Sequence, residues 1–75
     1  MPARMSYEAI VETLAFAAGQ EQMVRIVTTT GVEVHGLPTS LDTHVTAHEV
    51  YLLPPGDDDT EIAINLEAIE TVELL

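Results

Sequence analysis

GVEVHGLPTSLDTHVT, residues 31–46, is the stretch that sets the architecture. Gly31 tolerates positive φ and suits the tight turn that would lead in. Val32 to Thr39 then reads as a strand. Pro38 has no N–H to give to a ladder, so it belongs at an edge or a bulge. Gly36, two residues earlier, permits a sharp bend and close backbone approach. Leu41 resumes the apolar pattern before a polar corner, Asp42-Thr43-His44. A strand that bends in this way asks the rest of the chain to close around it.

Upstream, Ser6 suits an N-cap, and Glu8 falls in the first turn, where negative charge favours the helix dipole. Tyr7, Ile10, Val11, Leu14 and Ala18 recur at helical spacing. Gly19 is a natural stop, so a helix is expected over about 7–18. From Gln22 to Thr30 the chain alternates, with Val24, Ile26 and Thr28 on one face. Downstream, Val45 to Leu53 reads as a third strand, ended by Pro54-Pro55-Gly56. Thr60 to Leu66 is a fourth, with Ile62, Ile64 and Leu66 facing one way. Residues 66–69 form a tight turn, and Thr71 to Leu74 a short fifth strand. The expectation is a mainly β chain in one domain spanning 1–75. A helix precedes a five-stranded meander, about 22–75, that curls into a small barrel.

Seventy-five residues bury only about 60% of their unfolded surface, which leaves a lone domain marginal. With no cysteine, neither disulfides nor thiolate metal sites make up the difference. Self-association is the remaining source. A fifth strand ending at Leu74-Leu75 exposes an apolar edge, a hazard unless a neighbour covers it. A head-to-tail contact that closes into a ring satisfies every such edge, so a cyclic homo-oligomer is expected. No apolar run approaches the ~20 residues needed to span a bilayer, and no signal peptide is read. A cytoplasmic protein without membrane contact is the default expectation.

Thirteen acidic residues face only Arg4 and Arg25, for a net charge of −11. Phosphate-binding surfaces draw affinity from lysine and arginine displacing counterions, and lysine is absent here. The excess suits a solvated surface or a patch for basic partners.

No catalytic group stands out. Ser6 is used as a cap, Ser40 lies in the bend, and no Gly-rich phosphate loop is present. Asp42, His44 and Glu49 can be drawn as an acid–base set, but an acidic strand supplies such sets by chance. His44 and His48 would lie ~13 Å apart along a strand, too far to share one ion within one copy. Three adjacent acids, Asp57-Asp58-Asp59, read as a solvated hairpin tip, since calcium loops space their acids apart. No cofactor and no metal is expected.

Gly31, Val34, Gly36, Leu41 and Asp42 fall in the register of the first motif of the Sm-like family, which includes the bacterial Hfq proteins. Ile62, Ile64, Ile69 and the terminal strand fit its second motif. The chain resembles that family over nearly its whole length. The resemblance implies a strongly bent, five-stranded, SH3-like open barrel behind an N-terminal helix. It also implies rings of about five to seven copies, joined through the fourth and fifth strands. His44 stands at the family's base-stacking position, Thr46 at its Asn position, and Asn65 and Leu66 at its Arg and Gly positions. The resemblance thus implies a ring-forming protein that binds single-stranded RNA or DNA through Asp42, His44, Thr46 and Asn65, with a role in nucleic-acid processing. The alternative is an acidic homo-oligomeric scaffold that binds protein partners and not nucleic acid. A third reading places a metal at a pore lined by His44 or His48 of several copies.

Overall fold

The computed structural model of the chain describes residues 5–44, 46–57 and 59–75, with the backbone but not the side chain of Ala47. Val45, where the third strand was expected to begin, and Asp58 of the acidic tip lie outside the described residues.

Helix α1 spans Tyr7–Gln20. Ser6 caps it as expected: its Oγ accepts from the Ala9 N–H at 3.1 Å. The expected stop at Gly19 is corrected. Gly19 stays helical, and Glu21 takes the left-handed conformation, φ 53°. The Gln22 N–H reaches the Ala17 carbonyl at 2.8 Å and the Glu21 N–H reaches Ala18 at 3.4 Å. This is the paired-bond ending usually built on glycine, here on a glutamate. Ile10, Leu14 and Ala17 form the buried stripe. Phe16 is 56% exposed, because it lies roughly 200° around the helix from Leu14. Tyr7 is also largely exposed, at 41%.

Five antiparallel strands follow: β1 (Val24–Thr28), β2 (Glu33–His44), β3 (Ala47–Leu53), β4 (Ile62–Asn65) and β5 (Ile69–Leu74). Their spatial order is β4-β3-β2-β1-β5, an open sheet with β2 at its centre. A single 3-10 turn, Leu66–Ala68, links β4 to β5. The β1–β2 hairpin closes at Gly31, φ 85°, with its N–H on the Thr28 carbonyl at 2.9 Å.

β2 changes partners halfway. Residues 33–36 pair with β1, and the ladder to β3 begins at Leu37. The β3 register slips between Pro38 and Ser40, leaving Thr39 as the extra residue of a bulge. Pro38 therefore sits at a bulge, as expected, and beyond the end of the β1 ladder. Gly36 packs so closely that a Cβ there would lie 3.0 Å from both Leu52 Cβ and the Leu53 carbonyl. The polar corner expected at residues 42–44 is corrected. Asp42, Thr43 and His44 continue the strand, opposite Glu49, His48 and Ala47. Past the bulge the ladder to β3 resumes at Ser40 and runs to His44.

β4 starts at Ile62, later than expected. The Asp57 carboxylate accepts from the Asp59 and Thr60 N–H groups at 2.9 and 3.1 Å, which keeps the backbone in a turn through Thr60. Asp57 is thus a turn-forming group rather than a merely solvated tip. β5 pairs with β1 of its own chain, from Val24 opposite Leu74 to Thr28 opposite Ile69. Its other side meets no strand of this sheet, and Leu74 and Leu75 are exposed there. What remains is one outer edge on β5 and one on β4, at the two ends of the sheet.

The core joins all of these elements. Ile10, Leu14 and Ala17 of the helix meet Val24 and Ile26 of β1, Val50 and Leu52 of β3, Ile64, Leu66, Ile69 and Val72. Every fully buried side chain among the described residues is apolar. Among the described residues, no helix is long and apolar enough to cross a membrane.

Candidate functional site

The second half of β2, with β3 and β4, forms a half-sheet whose two faces follow from strand alternation. Leu41, Val50 and Ile64 point to the core and are mutually opposed. Between them, on the other face, lie Asp42, Glu49 and Asn65, directly opposite one another across the three strands. His44 and Tyr51 share that face. Three of the four residues expected to contact a nucleotide are therefore gathered on one surface. Thr46 lies in the exposed β2–β3 turn, apart from the ladder that aligns the other three.

His44 is held by Asp42. The Asp42 Oδ1 accepts from the His44 backbone N–H at 3.0 Å and lies 2.6 Å from its ring Nδ1. The backbone hydrogen bond, then the side-chain one, holds the Asp42 carboxyl below its usual range. With Nδ1 directed at a carboxylate, that nitrogen is the donor of the pair, and Nε2 is not engaged by Asp42. The side chain is 83% exposed. It has an open face for stacking and a free nitrogen for hydrogen bonding.

Asn65 has a structural duty as well. Its Oδ1 accepts from the Glu67 N–H at 2.8 Å and caps the 3-10 turn. Its amide nitrogen is the group left for recognition. Tyr51 donates to Glu49 Oε1 at 3.5 Å. The charge of Glu49, followed by partial burial and the charge of Asp42, pushes the Tyr51 phenol above its ordinary range. The face is acidic enough to penalise a further negative charge.

His48 is not part of this surface. It falls on the same side of β3 as Val50 and Leu52, and its Nδ1 meets the Tyr7 hydroxyl at 3.1 Å. The two rings stand edge to face, 5.9 Å apart. That link pins the start of α1 to β3, and residue spacing alone gave no sign of it. Among the described residues, no three His, Asp or Glu side chains gather in a way that could hold a metal ion.

The described residues include one basic side chain, Arg25. It pairs with Glu33 at 3.4 Å and with Glu73 across the β1–β5 ladder. Its charge is spent on β1, β2 and β5, remote in register from Asp42 and His44.

Comparison with family models, curated proteins and solved structures finds no match to this chain. The resemblance to the Sm-like family therefore rests on the residue pattern and on the order of elements.

Proposed function

We propose that this chain is a divergent small barrel of the Sm-like kind that assembles edge to edge and presents an acidic face to basic protein partners. One observation carries the reading. The half-sheet bearing the candidate residues displays Asp42 opposite Glu49, while the nearest described cation, Arg25, is already paired with two carboxylates. A surface so arranged supplies no counterion release to a phosphate backbone. It is complementary to lysine- and arginine-rich segments, and repetition around an assembly multiplies its field. The outer edges of β4 and β5 are the natural seams of that assembly.

Single-stranded RNA or DNA is the second reading. It is favoured by the placement of Asp42, His44 and Asn65 on one face, with the His44 ring open for stacking.

One titration separates the two. A labelled Lys/Arg-rich peptide and labelled oligo-uridine are each titrated over a salt series, against the native chain and an Asp42→Asn/Glu49→Gln variant. The scaffold reading expects the peptide to bind, to weaken with salt, and to lose most affinity in the variant, with no oligo-uridine binding. Oligo-uridine binding that is abolished by His44→Ala overturns it in favour of the nucleic-acid reading.

A further inference from the structure

The outer edge of β5 is already half occupied by the chain's own beginning. β5 pairs inward with β1, and the Leu75 N–H follows the same inward direction to the Met23 carbonyl at 3.0 Å. The alternate backbone groups, those of Glu70 and Val72, point outward. Two of them have partners. The Met5 N–H donates to the Glu70 carbonyl at 3.1 Å, and the Val72 N–H is directed at the Met5 Sδ at 3.2 Å. Met5 also packs against the core from the edge side. The remainder of the edge runs toward Leu74 and Leu75, which are 43% and 57% exposed.

The two partners differ in kind. The bond to Glu70 is an ordinary backbone hydrogen bond. The bond from Val72 ends on a thioether, a weak acceptor. An incoming strand would offer a carbonyl in its place and would cover Leu74 as well. The seat is therefore filled by something a second strand can outbid.

We propose that Met5 acts as a displaceable guard on the β5 edge, competing with the β4 edge of a second copy. This rests on the edge-to-edge assembly proposed above and adds its regulation. A guard of this sort keeps single copies from indiscriminate edge pairing, the known hazard of open sheets. Assembly then proceeds by strand exchange at one position, with Met5 leaving as the neighbour arrives.

The experiment measures self-association of the 75-residue chain by sedimentation velocity or light scattering over a concentration series. Met5→Pro removes the N–H that holds Glu70, and Met5→Leu keeps that N–H and the apolar bulk. Loss of one competing backbone bond should tighten self-association about fivefold in Met5→Pro. Met5→Leu should tighten it less. If the native chain assembles and Met5→Pro assembles no more tightly, the guard is overturned while the assembly stands. If both remain single copies at every concentration, guard and assembly fall together. Should Met5→Pro not fold, hydrogen exchange on the native chain decides. The Met5 amide must lose protection as concentration drives assembly, and constant or rising protection overturns the proposal.

Discussion

Gly36→Ala tests the close approach of β2 to β3 directly. An added Cβ would meet Leu52 Cβ and the Leu53 carbonyl, both at 3.0 Å, and the Leu52 Cδ1 at 3.6 Å. The first two are fixed parts of β3 and cannot rotate aside, so the strands must separate. Overpacking of this kind costs about 1–3 kcal/mol, and rigid neighbours place this case toward the upper end. Against that, alanine loses less backbone entropy than glycine in a strand, which returns about 0.5–1 kcal/mol. The net expectation is a loss of about 1.5–2 kcal/mol, a fall in Tm of roughly 6–15 °C for a domain this small. Gly19→Ala is the internal control. It lies in α1 with nothing within 4 Å of its added Cβ, and should gain about 0.5–1 kcal/mol. Urea and thermal unfolding of both variants, at one fixed protein concentration, read the two signs. A neutral or stabilised Gly36→Ala would refute the claim that β2 turns by pressing its backbone onto β3.

Three further expectations follow from named contacts. Glu21→Gly should stabilise the chain by about 0.5–1 kcal/mol, since glycine adopts the left-handed conformation that glutamate is forced into; a lower urea midpoint would contradict the reading of that helix end. Asp42 has a folded pKa below its ordinary 3.8. Its stabilising contribution is therefore present at neutral pH and is lost as pH falls from about that value through the lower folded one. Asp42→Asn should flatten the acid limb of the stability profile there, and an unchanged limb counts against the Asp42–His44 link. Tyr51 should ionise above the usual phenol range, and Glu49→Gln should lower its midpoint in a spectrophotometric titration; an unmoved midpoint would mean that the two side chains do not share a face.

The helix, the five strands, the bulge beside Pro38 and the close packing of Gly36 were legible because each rests on local chemistry: a capping serine, period-two alternation, a missing N–H, a missing Cβ. Boundaries failed where a distant or backbone contact decides them. Glu21 ends α1 only because two carbonyls behind it capture the N–H groups ahead. Asp42–His44 extends β2 only because Thr39 bulges out and lets the ladder continue. Asp42, Glu49 and Asn65 became one surface through the register of three strands, which no spacing within a single strand reveals. The Tyr7–His48 contact and the Met5 bonds to β5 join residues 41 to 67 positions apart, beyond the reach of periodicity.

β2 serves two ladders in succession, one along residues 33–36 and the other from Leu37 onward. That sharing constrains how the chain can change in length. A residue gained or lost between Gly36 and Ser40 would move the inward side chains of everything beyond it to the wrong face, since pleating alternates residue by residue. Insertions should be accommodated instead at the hairpin tips, around Thr30 and between Pro54 and Thr60, where added chain costs only loop entropy. Variants of this protein should therefore differ in the span of their loops and agree, residue for residue, in the count through the bend.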